Sequence, residues 1–347
     1  MSLFSWMKLD HLVDFSKIKR GEYVVCQDIS NGRERHSMPA LSFCKNDRAP
    51  DDYHYVNEYI QLDPLKPTYT LLSDLHCCTC LDDCSTQNCV CSLIESESAP
   101  YNRVYNSKKH LSCNYNIEAP EVIRECNIGC RCNASQCQNM VIQSGCQARL
   151  ALFRTKRRGW GVRTLEDLKR GTFIGVYSGE LISANGSHSR SDDTYLFNLT
   201  HTHIYSKPAD VEREQEKEKP EEQEQNQEQA EQQPEEETDQ DKYRDQFVCD
   251  AKYYGNFTRF INHSCEPNVT GIRSFTKYQD PRFPYIAFFT NRDIRAQTEL
   301  TLNYGDNYWM VKCQRDKVFC LCKRPKCRFS KKTFPQTLQH SKKRDNQ

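Results

Sequence analysis

Short apolar runs separated by turn residues dominate two stretches of the chain, residues 148–205 and 247–312. The runs are rich in β-branched and aromatic residues, as in Thr172–Tyr177 and Tyr285–Phe289. Many short strands with frequent turns predict a mainly β domain. Strand and helix patterns do not alternate and no Gly-x-Gly-x-x-Gly motif occurs, which disfavours a doubly wound dinucleotide-binding fold.

The regions on either side lack an apolar pattern that could form a core. Residues 1–75 mix strand-like runs with Pro, Asn and Asp turns, which predicts an irregular flank that packs onto the β domain. Residues 76–145 are rich in cysteine and poor in apolar periodicity, so we expect metal to hold them together. Residues 316–332 carry a second cysteine group, and residues 333–347 form a basic tail.

Between the two β halves, residues 206–246 consist mainly of Glu and Gln, with almost no apolar side chain. Such a segment cannot offset its ordering entropy, so we interpret it as a disordered, passive insertion. Residues 210–245 hold 16 acidic and 5 basic residues, a net charge of −11. The other 311 residues hold 43 basic and 31 acidic residues, a net of +12, which favours an encounter with nucleic acid or chromatin.

Two classes of protein are disfavoured by the absence of long apolar segments. No run of eighteen apolar residues occurs, so we expect no membrane span and no membrane partner. The first ten residues lack the charged, apolar and cleavage segments of a secretory signal. We therefore expect an intracellular protein, in which dense cysteines indicate metal binding rather than disulfides.

Eleven of the 20 cysteines lie within residues 77–137. Nine of them form two arms: Cys78, Cys80, Cys84, Cys89 and Cys91, then Cys126, Cys130, Cys132 and Cys137. Nine thiolates can complete three tetrahedral zinc ions if three sulfurs each bind two ions, because six terminal bonds and three shared pairs make twelve. Sulfur then fills every coordination position, which predicts a structural role.

A second cluster, Cys320, Cys322 and Cys327, supplies three thiolates and needs a fourth ligand. Cys265 is the candidate, which would fold the C-terminal tail back over the β domain and bring the total to four zinc ions per chain. Reactive or incidental thiols are the alternative. We expect the other seven cysteines to be small buried hydrophobes: Cys26, Cys44, Cys77, Cys113, Cys146, Cys249 and Cys313.

Ordered motifs follow the nine-cysteine segment. They are Gly159–Val162, Tyr177–Ile182, Asp193–Phe197, Arg259–Asn268 and Leu300–Asp306. The whole series resembles a pre-SET, SET and post-SET histone-lysine methyltransferase of the suppressor-of-variegation class. It is most similar to the euchromatic histone-lysine methyltransferases, a placement supported by Asn31–Arg35, Asp250–Asn256 and Phe283–Phe289.

The resemblance covers roughly residues 20–330 apart from the acidic insertion. It implies a mainly β SET-domain β-clip with a pseudoknot over residues 148–305, flanked by a zinc-cluster pre-SET and a zinc-binding post-SET segment. Such knotted topology is rare. It also implies that S-adenosyl-L-methionine and the substrate lysine enter from opposite faces and meet in a narrow channel. Transfer from a sulfonium is an in-line displacement, so the protein supplies positioning and a dry channel.

By the same resemblance, seven residues would contact the cofactor: Arg158, Gly159, Trp160, Tyr195, Asn262, His263 and Phe319. Phe319 would close over the adenine once the zinc-bound tail docks. For Trp160 alone, the alternative is a core aromatic residue between two turn glycines.

Tyr304 is the candidate catalytic residue, and Tyr177 supplies a second hydroxyl in the channel. A lysine amine has a pKa of about 10.4, so neutralising it at pH 7.5 costs roughly 4 kcal/mol. Desolvation and the neighbouring sulfonium lower that pKa. We therefore expect Tyr304 to aim the lone pair by a hydrogen bond rather than to act as a strong base. A single Tyr in a β-strand pattern is usually structural. The catalytic interpretation of Tyr304 and Tyr177 therefore depends on the motifs that surround them.

Several positions bear on the substrate and the product. Leu302 stands where the related enzymes have Phe or Tyr, two residues before Tyr304, and is the candidate product-state position. Asn198 stands where euchromatic-type enzymes have an acidic residue that helps to hold the arginine beside the target lysine. Asp193 is expected in the same substrate groove.

These features predict an S-adenosylmethionine-dependent protein-lysine methyltransferase that methylates histone H3 lysine 9, at least to dimethyl-lysine, in chromatin repression. The expected location is the nucleus and the chromosome, and the expected partners are the histone H3 tail, chromatin and other chromatin-repressor proteins. The alternative is a catalytically weak, zinc-built chromatin scaffold that retains the SET fold. Asn262, His263 and Tyr304 together favour the enzyme, because a scaffold need not keep a methyl-transfer channel.

Overall fold

The computed structural model describes residues 15–61, 77–85, 89–93, 103–183, 186–187, 189–190, 192–199, 247–277 and 283–344. The acidic insertion at 206–246, and the prediction that it is disordered, lie outside the described residues. No helix in the described ranges is long and apolar enough to cross a membrane.

Short strands make up most of the regular structure, which confirms the expected mainly β fold. In chain order the strands are Tyr23–Cys26 (β1), Ala40–Ser42 (β2), His54–Tyr55 (β3), Ile123–Arg124 (β4), Leu150–Arg154 (β5), Trp160–Thr164 (β6), Phe173–Tyr177 (β7), Glu180–Ser183 (β8), Leu196–Asn198 (β9), Phe247–Asp250 (β10), Tyr254–Gly255 (β11), Asn262–His263 (β12), Val269–Phe275 (β13), Tyr285–Thr290 (β14) and Thr301–Leu302 (β15). The α-helices are Asp306–Val311 (α1), which continues as a π-helical turn over Lys312–Asp316, and Phe334–Arg344 (α2). Short 3-10 helices span Phe15–Lys17, Val90–Ser92 and Phe257–Phe260.

The central sheet has the strand order β4-β13-β14-β7. Its strand β14 is covered on both faces, because Ile286, Ala287, Phe288 and Phe289 are all fully buried. A continuous apolar run is the pattern of a strand buried on both sides, and it explains why this segment does not alternate apolar with polar residues. A second four-stranded sheet has the order β1-β2-β5-β6, and a three-stranded sheet has the order β8-β10-β9.

Two of the sequence motifs, Arg259–Asn268 and Leu300–Asp306, meet at a very short parallel pairing. In it, Asn262 of β12 lies opposite Thr301 of β15, and His263 lies opposite Leu302. Two-residue strands cannot hold themselves together, and here the Asn268 side chain clamps them. Its Oδ1 accepts a hydrogen bond from the Thr301 N–H at 2.7 Å, and its Nδ2 donates to the Glu299 carbonyl at 2.8 Å. The segment before Tyr304 is thereby fixed beside the segment that carries Asn262 and His263.

The N-terminal flank joins the β domain rather than lying beside it. Strand β2 pairs in parallel with β5, and β3 pairs in parallel with β11. Arg163 donates two hydrogen bonds to the Glu22 carboxylate, at 2.6 and 2.5 Å, and both side chains are 1% exposed. Burial alone would raise the pKa of Glu22, but the Arg163 guanidinium outweighs it and the pKa is lowered. Removing one partner of such a buried pair costs about 3–5 kcal/mol.

The two chain ends that border the insertion lie side by side. Strands β9 and β10 are antiparallel, with Val248 opposite Asn198. The Leu199 N–H also donates to the Phe247 carbonyl at 3.1 Å. A segment of any length can therefore leave and re-enter the domain here without separating the two strands, since closure entropy grows slowly with loop length.

Candidate active site and metal centres

The pre-SET cysteines form one compact cluster. Its centre is a triangle of sulfurs, Cys78, Cys84 and Cys126, in which all three Sγ–Sγ distances are 3.8 Å. A zinc ion with Zn–S bonds of about 2.3 Å separates its tetrahedral ligands by about 3.8 Å. The triangle therefore has the dimensions expected of three sulfurs that share zinc ions in pairs.

The remaining thiols fall into pairs around this triangle. Cys80 and Cys89 lie within 4.8 Å of Cys78 and Cys84, and Cys91 and Cys130 lie within 4.8 Å of Cys78 and Cys126. The Cys132 Sγ lies within 4.8 Å of all three sulfurs of the triangle, and Cys137 is buried in the same cluster. The arrangement fits three zinc ions with Cys78, Cys84 and Cys126 as the bridging ligands. Their chemistry there is structural, since thiolates fill each position.

The second cysteine cluster joins the tail to the β domain. The Sγ atoms of Cys265, Cys320, Cys322 and Cys327 all lie within 4.8 Å of one another, so the four thiols fit one tetrahedral zinc ion. The Lys326 N–H donates to the Glu266 carboxylate at 3.2 Å, which adds a second link between the tail and this loop. Cys265 follows strand β12 by two residues, so metal binding at the tail bears directly on Asn262 and His263.

The expectation for the other seven cysteines is partly wrong. Cys146, Cys249 and Cys313 are buried, but Cys44 and Cys113 are exposed and Cys26 and Cys77 are only half-buried. Cys44 lies in the turn after β2 and Cys113 in the loop before β4, where nothing covers a small side chain. The Cys77 thiol donates to the Asn127 side-chain oxygen at 3.4 Å and belongs to none of the four-thiol groups among the described residues.

Asn262 links the backbone of Trp160 to the Glu299 carboxylate on the candidate cofactor side of the site. Its Nδ2 donates to the Trp160 carbonyl at 3.0 Å and to Glu299 Oε1 at 3.1 Å. A Cβ at Gly161 would meet Asn262 Nδ2 and Glu299 Oε1 at 2.9 Å, so only glycine permits this approach. The backbone beside Trp160 is thereby held against the β12–β15 pairing.

Arg158 and Gly159 border an open space next to this network. The Arg158 guanidinium pairs with the Glu299 carboxylate at 2.6 Å and reaches the His263 carbonyl at 3.4 Å. Gly159 has a φ of +66°, and a Cβ there would meet no atom within 4 Å. This left-handed position and the space beside it leave room for a ligand to approach the backbone closely. Trp160 is half-buried, with the Arg154 guanidinium 5.4 Å from its ring centroid.

His263 joins the cofactor side to Tyr304. Its Nδ1 accepts the Tyr304 backbone N–H at 3.1 Å, so in the neutral ring the proton resides on Nε2, which lies 3.3 Å from Cys265 Sγ. The ring is buried and lies 4.9 Å from the Trp309 ring. The His263 ring therefore links Cys265, a candidate zinc ligand, to the backbone of Tyr304.

The two candidate channel tyrosines both donate their protons to backbone carbonyls. Tyr304 donates to the Ile261 carbonyl at 2.7 Å, and Tyr177 donates to the Tyr195 carbonyl at 2.7 Å. Desolvation by burial raises the pKa of both phenols above the ordinary value. Both are therefore neutral at physiological pH, and their oxygens keep lone pairs that can accept a hydrogen bond. Leu302 is buried on β15.

The two candidate groove residues have different surroundings. The Asp193 carboxylate binds Lys312 Nζ and Arg315 Nη2, the latter at 2.8 Å, so it fastens the π-helical turn after α1. Burial opposes ionisation of Asp193, but the hydrogen bonds from these two cations outweigh it and lower its pKa. Asn198 is buried on β9. Tyr195 is half-buried, and the Arg259 guanidinium lies 4.0 Å from its ring centroid.

Phe319 contacts helix α2, and its expected place over the adenine of the cofactor stays a prediction. Its ring meets the Phe334 ring edge-on with centroids 6.1 Å apart. Cys320 N–H donates to the Phe329 carbonyl at 2.8 Å, which fixes the backbone beside it.

Comparison with known proteins agrees with this geometry. The family profile for the SET domain matches residues 159–305, and that for the Pre-SET motif matches residues 30–140. The chain belongs to the SET-domain family. This SET-domain chain is 35% identical over 316 residues to human histone-lysine N-methyltransferase EHMT1, covering 91% of the chain and 20% of that protein. It is 31% identical to human histone-lysine N-methyltransferase SUV39H2, covering 80% of the chain and 57% of that protein.

Solved structures show the same fold. Arabidopsis thaliana SUVH6 in complex with SAM is 27% identical with a TM-score of 0.64, over 91% of this SET-domain chain and 57% of that one. Neurospora DIM-5, a histone lysine methyltransferase, is 25% identical with a TM-score of 0.57, over 76% of this chain and 94% of that one. The chain spans about a fifth of the length of EHMT1 and somewhat over half of SUV39H2. The family and the SET fold expected from the motifs are thus confirmed.

Some residues of the site were not among the sequence candidates. Glu299 holds Arg158 and Asn262 together, Tyr308 and Trp309 pack beside Tyr304 and His263, and Lys312 binds Asp193. Glu299 begins the short run that ends in Leu302, and a lone acid at that place was the available signal. The positions of Tyr308 and Lys312 depend on how α1 packs, which the sequence motifs do not encode.

Proposed function

We propose that this chain is an S-adenosylmethionine-dependent protein-lysine N-methyltransferase. The observation that carries the proposal is a set of hydrogen bonds that joins three segments, those of Trp160, of Ile261–His263 and of Tyr304. Asn262 binds the Trp160 backbone, His263 binds the Tyr304 backbone, and the Tyr304 hydroxyl binds the Ile261 carbonyl. A protein that served only as a scaffold would not need the Tyr304 phenol to be oriented in this way.

The residues of the chain act mainly by orientation. The cofactor, when bound, supplies an electrophilic methyl group. The candidate residues to hold it are Arg158, Gly159, Trp160, Tyr195, Asn262, His263 and Phe319. On the other side, the neutral lysine amine donates an N–H to the Tyr304 oxygen, whose own proton is committed to Ile261, so the amine lone pair is aimed along the channel.

Burial of the channel favours the reactive form of the amine. The amine must be neutral to have a lone pair, and desolvation lowers the pKa of a buried ammonium. Tyr177 and Leu302, the two candidate channel residues on strands, are both buried. Neither tyrosine acts as a strong base, because burial raises the pKa of each phenol. The proton of the ammonium is therefore released to solvent as the lysine enters.

Histone H3 lysine 9 is the proposed target, with products extending at least to dimethyl-lysine. A Nicotiana tabacum relative that is 30% identical over 88% of the chain is named as H3 lysine-9 specific. The net charge of +12 outside residues 210–245 suits a chromatin environment. On this proposal the enzyme acts in the nucleus on chromosomal H3 and contributes to repression together with other chromatin proteins.

Labelled cofactor and recombinant histones test the proposal. The zinc-loaded chain should transfer label to H3 and not to H3 with arginine in place of lysine 9, and mass spectrometry should locate the methyl groups on that lysine. Tyr304→Phe, with unchanged zinc content, is the matched inactive control. Label on another lysine would retain the activity and refute the target. No transfer to any histone, with cofactor binding intact, would favour the scaffold alternative.

A further inference from the structure

The C-terminal tail, residues 317–344, carries ten Lys and Arg residues and no Asp or Glu. Six of the ten fall within residues 323–332. Arg328 pairs with the Asp306 carboxylate. The other five are exposed and form no ion pair with a residue that the structure describes: Lys323, Arg324, Lys326, Lys331 and Lys332. The described residues thus leave most of the positive charge of this segment without a counter-charge.

The tail has a fixed backbone, unlike a flexible basic extension. The Cys320 N–H donates to the Phe329 carbonyl at 2.8 Å, and the Thr337 hydroxyl donates to the Arg328 carbonyl at 2.8 Å. Phe329 and Phe334 are buried in the main core. Blocks of like charge repel one another and are often interaction segments. Because the backbone is held here, the charges cannot move apart, and a bound polyanion would relieve their repulsion.

A loop of the β domain adds a seventh cation beside the tail. The exposed Arg292 guanidinium donates to the Pro267 carbonyl at 2.6 Å. The adjacent Glu266 carboxylate accepts the Lys326 backbone N–H at 3.2 Å, so Arg292 and the tail meet at one loop. We call Arg292 and the six cations of residues 323–332 the tail surface. Its seven cations, with the two described carboxylates that are bonded to it, give a net charge of +5.

Two lysines of the tail occupy backbone positions that disfavour them. Lys317 and Lys323 have φ angles of +55° and +56°. The left-handed conformation costs free energy for a residue with a Cβ, and Gly or Asn lowers that cost. A requirement for positive charge accounts for Lys at both positions, whereas the stability of the turns does not.

We propose that the tail surface binds the phosphate backbone of duplex DNA. Lys and Arg are the side chains that neutralise DNA phosphates, and duplex DNA carries one negative charge per about 1.7 Å of its axis. The other macromolecule of the proposed function, the histone H3 tail, is cationic, so the tail surface repels it. The acidic residues 210–245 of the chain itself are the competing occupant.

The position of the tail surface gives this contact a consequence. The thiols of Cys322 and Cys327 lie within 4.8 Å of the Cys265 thiol, and Cys265 follows His263 by two residues. DNA on the tail surface therefore lies beside the candidate active site, where chromatin brings DNA and histone together. Binding of DNA requires no methyl transfer, so this inference goes beyond the proposed function and holds or fails independently of it.

The triple variant Lys326→Gln, Lys331→Gln, Lys332→Gln of the full zinc-loaded chain tests the proposal, with a short fluorescent duplex as the probe. The quantity measured by fluorescence anisotropy is the slope of log affinity against log salt concentration. Each lost phosphate contact should reduce the magnitude of this slope by about 0.9, which makes about 2.7 for three contacts. The affinity advantage of the unaltered protein should then shrink about 40-fold between about 50 and 200 mM salt.

The control variant removes the same charge elsewhere. Lys19→Gln, Lys45→Gln, Lys108→Gln replaces three exposed lysines of the N-terminal flank and the pre-SET region, and its slope should stay within about 0.5 of that of the unaltered protein. Equal slopes for the two triple variants would overturn the proposal, because net charge, or an acidic segment that covers the tail, would then account for the result. Failure of the unaltered protein to bind the duplex at about 50 mM salt would overturn it as well.

A second variant guards against loss of the tail fold. If the triple variant loses zinc, the double variant Lys331→Gln, Lys332→Gln replaces it, since both residues lie outside the Cys320–Cys327 segment. A decrease of about 1.8 in the magnitude of the slope is then required. A slope like that of the control variant would refute the tail surface as the DNA contact.

Discussion

Leu302 is a small aliphatic residue at the candidate product-state position. It is buried on β15, its carbonyl accepts the Ser264 N–H at 2.9 Å, and it lies opposite His263. In the enzymes that the chain resembles, an aromatic ring at this position narrows the space around the amine. Leu lacks both the hydroxyl of Tyr and the width of Phe. We therefore expect room for a second methyl group and a less rigidly aimed amine, which lowers the rate.

Leu302→Tyr should shift the products towards monomethyl-lysine without abolishing turnover. The added hydroxyl can hold a water molecule in the space that a further methyl group needs. Tyr304→Phe should instead reduce the rate about 10²-fold or more, since it removes the oxygen that orients the amine. Mass spectra of H3 peptides at excess cofactor measure both effects. This account of the channel is wrong if the unaltered protein stops at one methyl group.

Residues within the recognised motifs could be predicted, whereas their partners could not. Asn262, His263 and Tyr304 stand in motifs and do come together in the structure. Glu299 was not predicted, because its importance arises from an ion pair with Arg158, 141 positions away along the chain. The exposed Cys44 and Cys113 contradict the expectation of burial, since spacing alone does not distinguish a loop cysteine from a core one.

Among the structural elements, the zinc cluster depends most on a few shared ligands. Cys78, Cys84 and Cys126 form its central triangle, and each would bind two ions. Cys78→Ser should therefore lower the zinc content from four ions per chain to about two, whereas Cys80→Ser should remove at most one. Elemental analysis of purified protein measures the difference, with Cys113→Ser as the exposed control. Equal losses for Cys78 and Cys80 would exclude the bridging assignment.

Full removal of zinc should have effects beyond the cluster. A chelator should unfold the thiol-bearing parts of residues 76–145 and release the tail from Cys265, because the thiols then lose the ions that join them. The apolar cluster that Val104, Leu111 and Ile142 form with the central sheet should keep its protection. Active protein that contained only one or two zinc ions would contradict the four-ion assignment. Hydrogen exchange before and after chelation would locate the segments that lose protection.

The turn after α1 is held by charge, which gives it a defined pH dependence. The pKa of Asp193 is lowered by its hydrogen bonds with Lys312 and Arg315, despite opposing burial. A depressed carboxyl pKa contributes stability that is present above its unfolded value, about 3.9, and is lost as the pH falls through the lower folded value. Asp193→Asn should lower the free energy of unfolding at pH 7 by about 1.5–3 kcal/mol.

Denaturant titrations across the pH range check this prediction. The difference between Asp193→Asn and the unaltered protein should stay constant from pH 8 to about 5 and shrink below about pH 4. Asp192→Asn is the matched control, since the Asp192 carboxylate is 39% exposed and lies 3.6 Å from Lys252 Nζ. An equal loss in both variants would mean that the ion pairs of Asp193 with Lys312 and Arg315 stabilise the fold no more than an exposed pair does.

Element type was predictable here, but element pairing was not. The runs at Thr172–Tyr177 and Tyr285–Phe289 contain strands β7 and β14, as the apolar pattern indicates. Strands β12 and β15 have two residues each, too few for any periodicity. Their pairing is enforced by Asn268 and by the surrounding core, so the knot could be expected only from the family resemblance.

At the scale of the whole molecule, charge is divided between an acidic segment and a basic body. Residues 210–245 carry −11 and the rest of the chain +12. The ends of the insertion are joined by the β9–β10 pairing and by the Leu199–Phe247 hydrogen bond. We therefore expect that the segment can be removed without opening the sheet, and that it competes with cationic histone tails.

Deletion of residues 210–245 should leave zinc content and the unfolding midpoint unchanged and should alter only the affinity for H3 peptides. The effect should be larger at low salt, because screening weakens charge interactions beyond about 10 Å at 0.1 M ionic strength. A chain of the same length with Gln and Asn in place of the acids of that segment is the control for loop length, and it should bind like the deletion. Peptide affinity measured at two salt concentrations separates the cases. If the protein with the neutral segment binds H3 peptides like the unaltered protein, the charge of the segment is not the cause. If the deletion yields insoluble protein, the segment contributes to the fold.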